Sequence, residues 1–155
     1  TMKIIAPSVL KKKIACKKLL VDTNIIIYLT DSIEPYEPLS RLILEMIETG
    51  AASAVLSIVS VAEVMKGPIN KGQHRNARDV RNYLFNFPNI YCQEITMDVL
   101  GHMGKNNLID WSKLRTMDSL VIVSGLENDV DLSISNDAHF KKAIPGKRFL
   151  SLGAL

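Results

Sequence analysis

Short apolar runs alternate with amphipathic segments along this chain, and their order predicts alternating strands and helices. Residues 19–21 are continuously apolar and are followed at once by the polar residues Asp22, Thr23 and Asn24. A short run of this kind is typical of a strand buried on both faces, as in a parallel sheet. Further strands are predicted at residues 54–56, 90–95, 131–135 and 149–152.

The segments between these runs favour helices. Residues 39–48 have apolar side chains at positions 39, 42, 43, 46 and 47, and Gly50 follows where a helix commonly ends. Further helices are predicted at residues 59–66, closed by Gly67 and Pro68, and at residues 76–84, 97–105 and 117–127. This alternation predicts an α/β domain with a mostly parallel sheet.

The composition fits one globular domain. A chain of 155 residues can bury a sizeable core, and contents of 47% hydrophobic and 23% charged residues are ordinary. Cys16 and Cys92 have neither metal-ligand spacing nor a disulfide framework, so reduced thiols and a cytoplasmic location are expected. No apolar run approaches the roughly 18 residues needed to cross a bilayer, so no membrane association is expected.

Basic residues cluster at the start of the chain. The first 18 residues contain no acid, and their lysines are Lys3, Lys11, Lys12, Lys13, Lys17 and Lys18. We interpret residues 1–18 as a basic N-terminal extension and residues 19–155 as a single domain. A solvated arm and an electrostatic handhold for nucleic acid both fit the extension. The net charge of +3 permits a polyanionic partner without requiring one.

Four carboxylates fall where a parallel sheet would bring them to one edge. Asp22 and Asp137 follow predicted strands, Glu63 lies early in the helix after the second strand, and Asp118 opens the helix before the strand at 131–135. Each alone is also an ordinary cap or turn residue. Together they would repel one another unless a cation neutralised them, and hard divalent cations take oxygen ligands. One or two such ions can activate a water and stabilise a phosphodiester displacement.

Four segments around these carboxylates resemble the motifs of PIN-domain proteins, especially the VapC-like toxins of bacterial toxin–antitoxin pairs. They are LVDTNII at residues 20–26, LSIVSVAEVMKG at 56–67, LRTMDSL at 114–120 and LSISNDAHF at 132–140. The resemblance extends from residue 19 to residue 152. Departures are small: Met117 stands where proline is common, Ser119 where alanine is common, and Ser135 replaces a threonine but keeps the hydroxyl.

The resemblance implies a three-layer α/β/α sandwich and an endoribonuclease that cleaves RNA phosphodiesters with a water activated by one or two Mg²⁺ or Mn²⁺ ions. By position, the catalytic metal ligands would be Asp22, Glu63, Asp118 and Asp137. The residues that orient those carboxylates by hydrogen bonds would be Thr23, Asn24, Ser135 and Asn136. The resemblance also implies a toxin role, with an antitoxin protein and a second copy of the chain as candidate partners beside RNA.

Arginines supply candidate contacts to RNA. Arg75, Arg78 and Arg81 would share one helical face, and Arg115 lies close to Asp118 in sequence. A solvated face explains the first three equally well, whereas an RNA track would weaken with salt.

Two alternative functions stay open: a non-catalytic PIN-like module that binds RNA or protein, and a housekeeping RNA-processing nuclease. A phosphoacceptor receiver domain fits poorly, because the expected adjacent acidic pair and later lysine are not found in the right order. Nucleotide-binding enzymes also fit poorly, because no glycine-rich phosphate loop occurs.

Overall fold

A five-stranded parallel sheet forms the centre of the computed structural model, which describes residues 3–154. The strands are β1 (Lys18–Val21), β2 (Ser53–Ser57), β3 (Ile90–Gln93), β4 (Leu132–Ile134) and β5 (Phe149–Leu150). Their order across the sheet is β3-β2-β1-β4-β5, so β1 pairs with β2 on one side and β4 on the other. The chain changes direction across the sheet beside β1, which is the switch point where α/β folds form ligand sites.

Helices cover both faces of this sheet. They are α1 (Pro7–Ile14), α2 (Thr23–Thr30), α3 (Glu37–Glu48), α4 (Ile58–Asn70), α5 (His74–Phe85), α6 (Met97–Leu100), α7 (Thr116–Glu127) and α8 (Ala138–Ala143). Short 3₁₀ turns occur at Trp111–Lys113 and Gly146–Arg148. Within residues 3–154, no helix has the length and apolar character needed to span a membrane.

Alternate residues of β1 belong to two separate cores. Leu19 and Val21 pack in the larger cluster, which also receives Ile25 and Ile43 from α2 and α3. Leu20 points to the other face and packs in a second cluster that includes Val121 of α7. Because side chains alternate along a strand, three consecutive apolar residues need a layer of helices on each side. The predicted three-layer α/β/α arrangement is therefore confirmed.

The basic N-terminal segment is packed on the domain. Leu10 and Ile14 of α1 are fully buried in the larger core, and Ile5 donates a backbone hydrogen bond to Leu152 at 2.8 Å. The prediction of a solvated arm is wrong for α1, because two apolar residues four positions apart form one buried stripe between exposed lysines. The proposed boundaries, 1–18 and 19–155, include residues 1, 2 and 155, which lie outside the described residues.

Several predicted boundaries also differ from the structure. Helix α4 continues through Gly67 and Pro68 to Asn70, because a proline in the last turn removes only one helical hydrogen bond. Helix α6 ends at Leu100 rather than at residue 105, and successive turns follow it. β3 ends at Gln93 rather than at residue 95. Helix boundaries depend on tertiary contacts that periodicity does not report.

Candidate active site

Asp22 lies at the centre of the candidate site. It follows β1 directly, caps α2, and its backbone N–H donates to the carbonyl of Ile134 at 3.0 Å, which continues the pairing of β1 with β4. The residue is only 7% exposed. One oxygen accepts from the backbone N–H of Thr23 at 2.8 Å, and the other accepts from the Ser135 hydroxyl at 2.6 Å. The side chain is therefore fixed by two donors at the switch point of the sheet.

Ser135 connects Asp22 with the segment that follows β4. While its hydroxyl donates to Asp22, its oxygen accepts from the backbone N–H of Asp137 at 2.9 Å and from Asn24 Nδ2 at 3.5 Å. These three contacts use the one donor and both acceptor positions of a hydroxyl. Asp22, Asn24 and Asp137 are thus joined through one fully buried side chain.

Asn136 fixes the same segment from the other side. Its Oδ1 accepts from the backbone N–H of Leu152 at 2.8 Å and of Gly153 at 3.2 Å, and its backbone N–H donates to Asn24 Oδ1 at 3.4 Å. Its Nδ2 donates to the Tyr28 hydroxyl at 3.2 Å. Of the three side chains, only Ser135 hydrogen-bonds a carboxylate directly, whereas Asn24 contacts Ser135 and Asn136 contacts the backbone and Tyr28. The role of Asn24, Ser135 and Asn136 in orienting metal ligands stays a prediction.

Glu63 reaches this edge from α4. It lies in the second turn after β2, where it is exposed, and its Oε1 accepts from the Thr23 hydroxyl at 3.1 Å. Thr23 therefore bridges two of the predicted carboxylates, since its backbone N–H donates to Asp22. The role of Thr23 in orienting metal ligands stays a prediction.

Arg115 joins the two remaining carboxylates. Its guanidinium donates to Asp118 through Nε at 2.9 Å and through Nη2 at 3.1 Å, and Nη2 also donates to Asp137 at 3.1 Å. Asp118 additionally accepts from the backbone N–H of Arg115 at 3.1 Å, which caps the start of α7. Asp118 is buried, whereas the Arg115 side chain is 64% exposed.

The electrostatics show that the carboxylates influence one another. The pKa of Asp22 is raised from 3.8 to about 6, chiefly by burial and to a smaller extent by the charges of Glu63 and Asp137, against the opposing effect of the Ser135 and Thr23 hydrogen bonds. Hydrogen bonds and charge attraction from Asp118 raise the pKa of Arg115, and Asp137 and Glu63 add to this effect. Glu63 and Asp137 thus act on both Asp22 and Arg115, whereas Asp118 acts on Arg115.

The donor set fits a hard divalent cation, which takes carboxylate oxygens and would relieve the cost of ionising Asp22. As the side chains stand, however, no three His, Cys, Asp or Glu residues within 3–154 are arranged to hold one ion together. The guanidinium of Arg115 is the cation found between Asp118 and Asp137. The metal-ligand role of the four carboxylates stays a prediction.

The three arginines of α5 are not part of this cluster. Arg75, Arg78 and Arg81 are exposed, and the only polar side-chain contact they make among the described residues joins Arg81 to Asn82 at 3.3 Å. Helix α5 nevertheless borders a groove of about 400 Å³ that also contains Glu63 of α4. An RNA-binding role for these arginines stays a prediction.

Two features of the site were not predicted from the sequence. Tyr28 holds Asn136 and stacks on Tyr36 with ring centroids 4.6 Å apart. Its position four residues after Asn24, on the same face of α2, was the available signal. The second feature is the pairing of Arg115, a predicted RNA contact, with Asp118 and Asp137; its contact with RNA stays a prediction. Its spacing of three residues from Asp118 at a helix start was the signal for that pair.

The sequence model of the PIN domain matches residues 19–144. The chain belongs to the PIN-domain family. The predicted resemblance is confirmed, and the match leaves α1 and β5 outside its limits. No curated protein matches the sequence significantly.

Solved structures show the same PIN fold. A chain of VapBC2 from Rickettsia felis, solved bound to a promoter DNA fragment, superposes with a TM-score of 0.60 at 13% identity, covering 86% of this chain and 98% of that one. VapC20 from Mycobacterium tuberculosis is described as a toxin that cleaves the sarcin–ricin loop. It superposes with a TM-score of 0.56 at 11% identity, covering 81% of this chain and 93% of that one. A chain of VapBC-1 from nontypeable Haemophilus influenzae superposes with a TM-score of 0.58 at 16% identity, covering 87% of this chain and 98% of that one. At these identities the likeness concerns the fold.

Proposed function

We propose that this PIN-domain protein is a metal-dependent endoribonuclease and the toxin of a toxin–antitoxin pair. The observation that supports this most directly is the buried, doubly hydrogen-bonded Asp22 at the switch point, with Glu63 and Asp137 close enough to raise its pKa. A site that concentrates negative charge in this way favours a divalent cation and, through it, a phosphate group.

Asp22, Glu63, Asp118 and Asp137 would hold one or two Mg²⁺ or Mn²⁺ ions. A bound ion would supply Lewis-acid stabilisation of phosphate charge and a lowered pKa for a coordinated water. Ser135 and Thr23 fix the Asp22 carboxylate, and Thr23 also holds Glu63. The protein's own contribution is thus to present these oxygens in fixed orientations before substrate arrives.

The groove beside Glu63 offers a path for the RNA strand. Thr30, Asn76 and Asp79 line it together with Glu63 and provide polar groups that a nucleotide could contact. The exposed arginines at positions 75, 78 and 81 lie on α5, which forms one wall. Flexible single-stranded RNA suits such a groove, because its unpaired bases can be splayed into pockets while basic side chains contact the phosphates.

A cleavage assay tests the proposed activity. The intact protein is incubated with a panel of structured RNAs in Mg²⁺, Mn²⁺ or chelator, and products are examined for 5′-phosphate and 3′-hydroxyl ends. Asp22→Asn and Asp118→Asn should each reduce metal-dependent cleavage by about 100-fold or more, since each removes a charged ligand while keeping the shape. Undiminished cleavage in both variants would exclude the proposed mechanism.

Asp129→Asn is a matched control for these variants. Asp129 is exposed before β4, at the opposite end of the sheet, and has a φ of 50°, which asparagine also adopts readily. The Asp129→Asn substitution removes the same charge without touching the site, so full activity is expected.

Binding of RNA without cleavage in any metal would instead identify a non-catalytic module.

The toxin role and the protein partner rest on the VapBC likeness. The similar structures include toxin–antitoxin complexes from Klebsiella pneumoniae and Haemophilus influenzae, so we propose an antitoxin as the partner of this chain. A neighbouring gene for a small DNA-binding protein whose co-expression abolishes cleavage would support a toxin. Its absence would favour a housekeeping nuclease. Light scattering of the purified protein tests the proposed homodimer.

A further inference from the structure

We propose that Arg115 is an internal counter-ion that occupies two carboxylates of the site, is displaced from them when a divalent cation binds, and then contacts the RNA backbone. This inference rests on the proposed function, because it assumes that Asp118 and Asp137 bind the metal. It assigns to Arg115 control over metal affinity in addition to RNA contact.

The geometry of the Arg115 guanidinium supports the first part of this proposal, that the side chain occupies two carboxylates of the site. It makes two hydrogen bonds to Asp118 and one to Asp137, all between 2.9 and 3.1 Å. Charge-assisted bonds of this length use carboxylate oxygens that a metal would also need. The guanidinium therefore already occupies oxygens of two of the four predicted ligands and offsets one of their two negative charges.

The local structure allows the side chain to leave. The backbone N–H of Arg115 is held by Asp118 at 3.1 Å, so the start of α7 stays capped when the side chain moves. The side chain is 64% exposed, which means that little packing is lost when it turns into solvent. Asp118 is fixed in α7, and Asp137 is the N-cap of α8, where it also accepts from the backbone N–H of His139 at 2.7 Å. The guanidinium is the most exposed member of this cluster, so it is the group that can move with the least loss of packing.

A competing ion is needed to hold the guanidinium away from these carboxylates at physiological pH. An arginine side chain keeps its proton throughout the physiological pH range, so the carboxylates are released by a stronger cation or by an anion that attracts the guanidinium. A divalent cation would replace the guanidinium at the carboxylates, and an RNA phosphate would attract the released guanidinium. A displaced guanidinium at this edge remains anchored at the N-terminus of α7, within reach of a phosphate held at the same carboxylates.

Metal binding provides the direct test. The full chain, freed of metal, is titrated with Mn²⁺ by calorimetry as wild type, Arg115→Ala and Arg115→Gln. Both variants should bind Mn²⁺ about 3- to 10-fold more tightly than wild type, a modest gain because an exposed ion pair contributes little. Lys113→Ala removes an exposed charge two residues away and should leave the dissociation constant within about twofold.

The outcomes separate this inference from the proposed function. If wild type binds Mn²⁺ and both Arg115 variants bind it equally or more weakly, the counter-ion role is excluded while the nuclease proposal stands. If no form binds Mn²⁺ or Mg²⁺, both proposals are overturned. Circular dichroism establishes that each variant is folded, and the glutamine variant keeps a polar side chain of similar length if the alanine variant does not fold.

RNA binding tests the second part of the proposal, that the displaced Arg115 contacts the RNA backbone. Removing the side chain should weaken RNA binding, whereas it should strengthen Mn²⁺ binding. With saturating Mn²⁺ and an RNA analogue that resists hydrolysis, so that all four proposed metal ligands are kept, Arg115→Ala should weaken RNA binding by about 3- to 10-fold and reduce its salt dependence by about one phosphate contact. A residue with a merely structural role would move both affinities in the same direction. Unchanged RNA affinity would overturn the second part.

Discussion

Asp22 combines a buried position with the charge that the proposed chemistry needs. Its neighbours could be predicted from the sequence because the motifs place Thr23 beside it and Ser135 at the end of a paired strand. The contact of Arg115 with Asp137 could not be predicted in this way, since it joins side chains 22 residues apart whose distance depends on how α7 and α8 pack. Sequence spacing constrains contacts within a helix far better than contacts between helices.

The raised pKa of Asp22 predicts a pH dependence of stability. Between 3.8 and about 6 the unfolded carboxyl has lost its proton whereas the folded one keeps it. The stabilisation that Asp22 contributes to the folded state through its raised pKa is therefore fully present below pH 3.8 and is lost as the pH rises through 6. With a chelator present, wild type should lose up to about 3 kcal/mol of unfolding free energy between pH 4 and pH 7 from this group alone.

Urea unfolding at a series of pH values measures this effect, with Asp22→Asn as the comparison. The variant lacks the titrating group, so its unfolding free energy should fall by less over the same range. Asp129→Asn, which removes an exposed carboxylate, should behave like wild type. Parallel curves for wild type and Asp22→Asn would show that Asp22 ionises normally in the folded protein.

At the scale of elements, apolar periodicity predicted the long helices, whereas it missed the short helices α1 and α8 and made α6 too long. The predicted helix at residues 39–48 matches α3 closely, because five apolar positions define its buried face. Helix α1 was missed because only Leu10 and Ile14 are buried among its eight residues. A short helix depends on tertiary packing for its stability, and its sequence signal is correspondingly weak.

Leu10 should therefore contribute strongly to stability although it lies outside the limits of the family match. Leu10→Ala should destabilise the protein by about 2–5 kcal/mol, because it removes a fully buried side chain from the larger core. Val9→Ala is the matched control: Val9 is 42% exposed on the same helix, so a change below about 0.5 kcal/mol is expected. Equal urea midpoints for the two variants would mean that α1 does not dock in solution.

At the scale of the whole molecule, the strand order determines where the site lies. A mostly parallel sheet could be predicted from the alternation of elements, but the central place of β1 could not, because apolar runs do not specify which strands pair. The positions of the two basic surfaces, the arginines of α5 and the lysines of α1, could not be predicted from the sequence either. The α5 arginines lie on the helix whose Asn76 and Asp79 line the groove that contains Glu63, whereas α1 packs against α3.

This arrangement predicts which basic surface binds RNA. Replacing Arg75, Arg78 and Arg81 together by alanine, in the Asp22→Asn background, should weaken RNA binding and reduce the slope of log affinity against log salt by about 2, since each lost contact to single-stranded RNA removes about 0.7. The control replaces the exposed lysines at positions 11, 12 and 13 of α1 by alanine and removes the same charge. Its slope should stay at the wild-type value, because these lysines lie on a different helix from the groove wall. Fluorescence anisotropy at several salt concentrations gives both slopes. A loss of slope confined to the lysine variant would move the RNA-binding surface from α5 to the N-terminal segment.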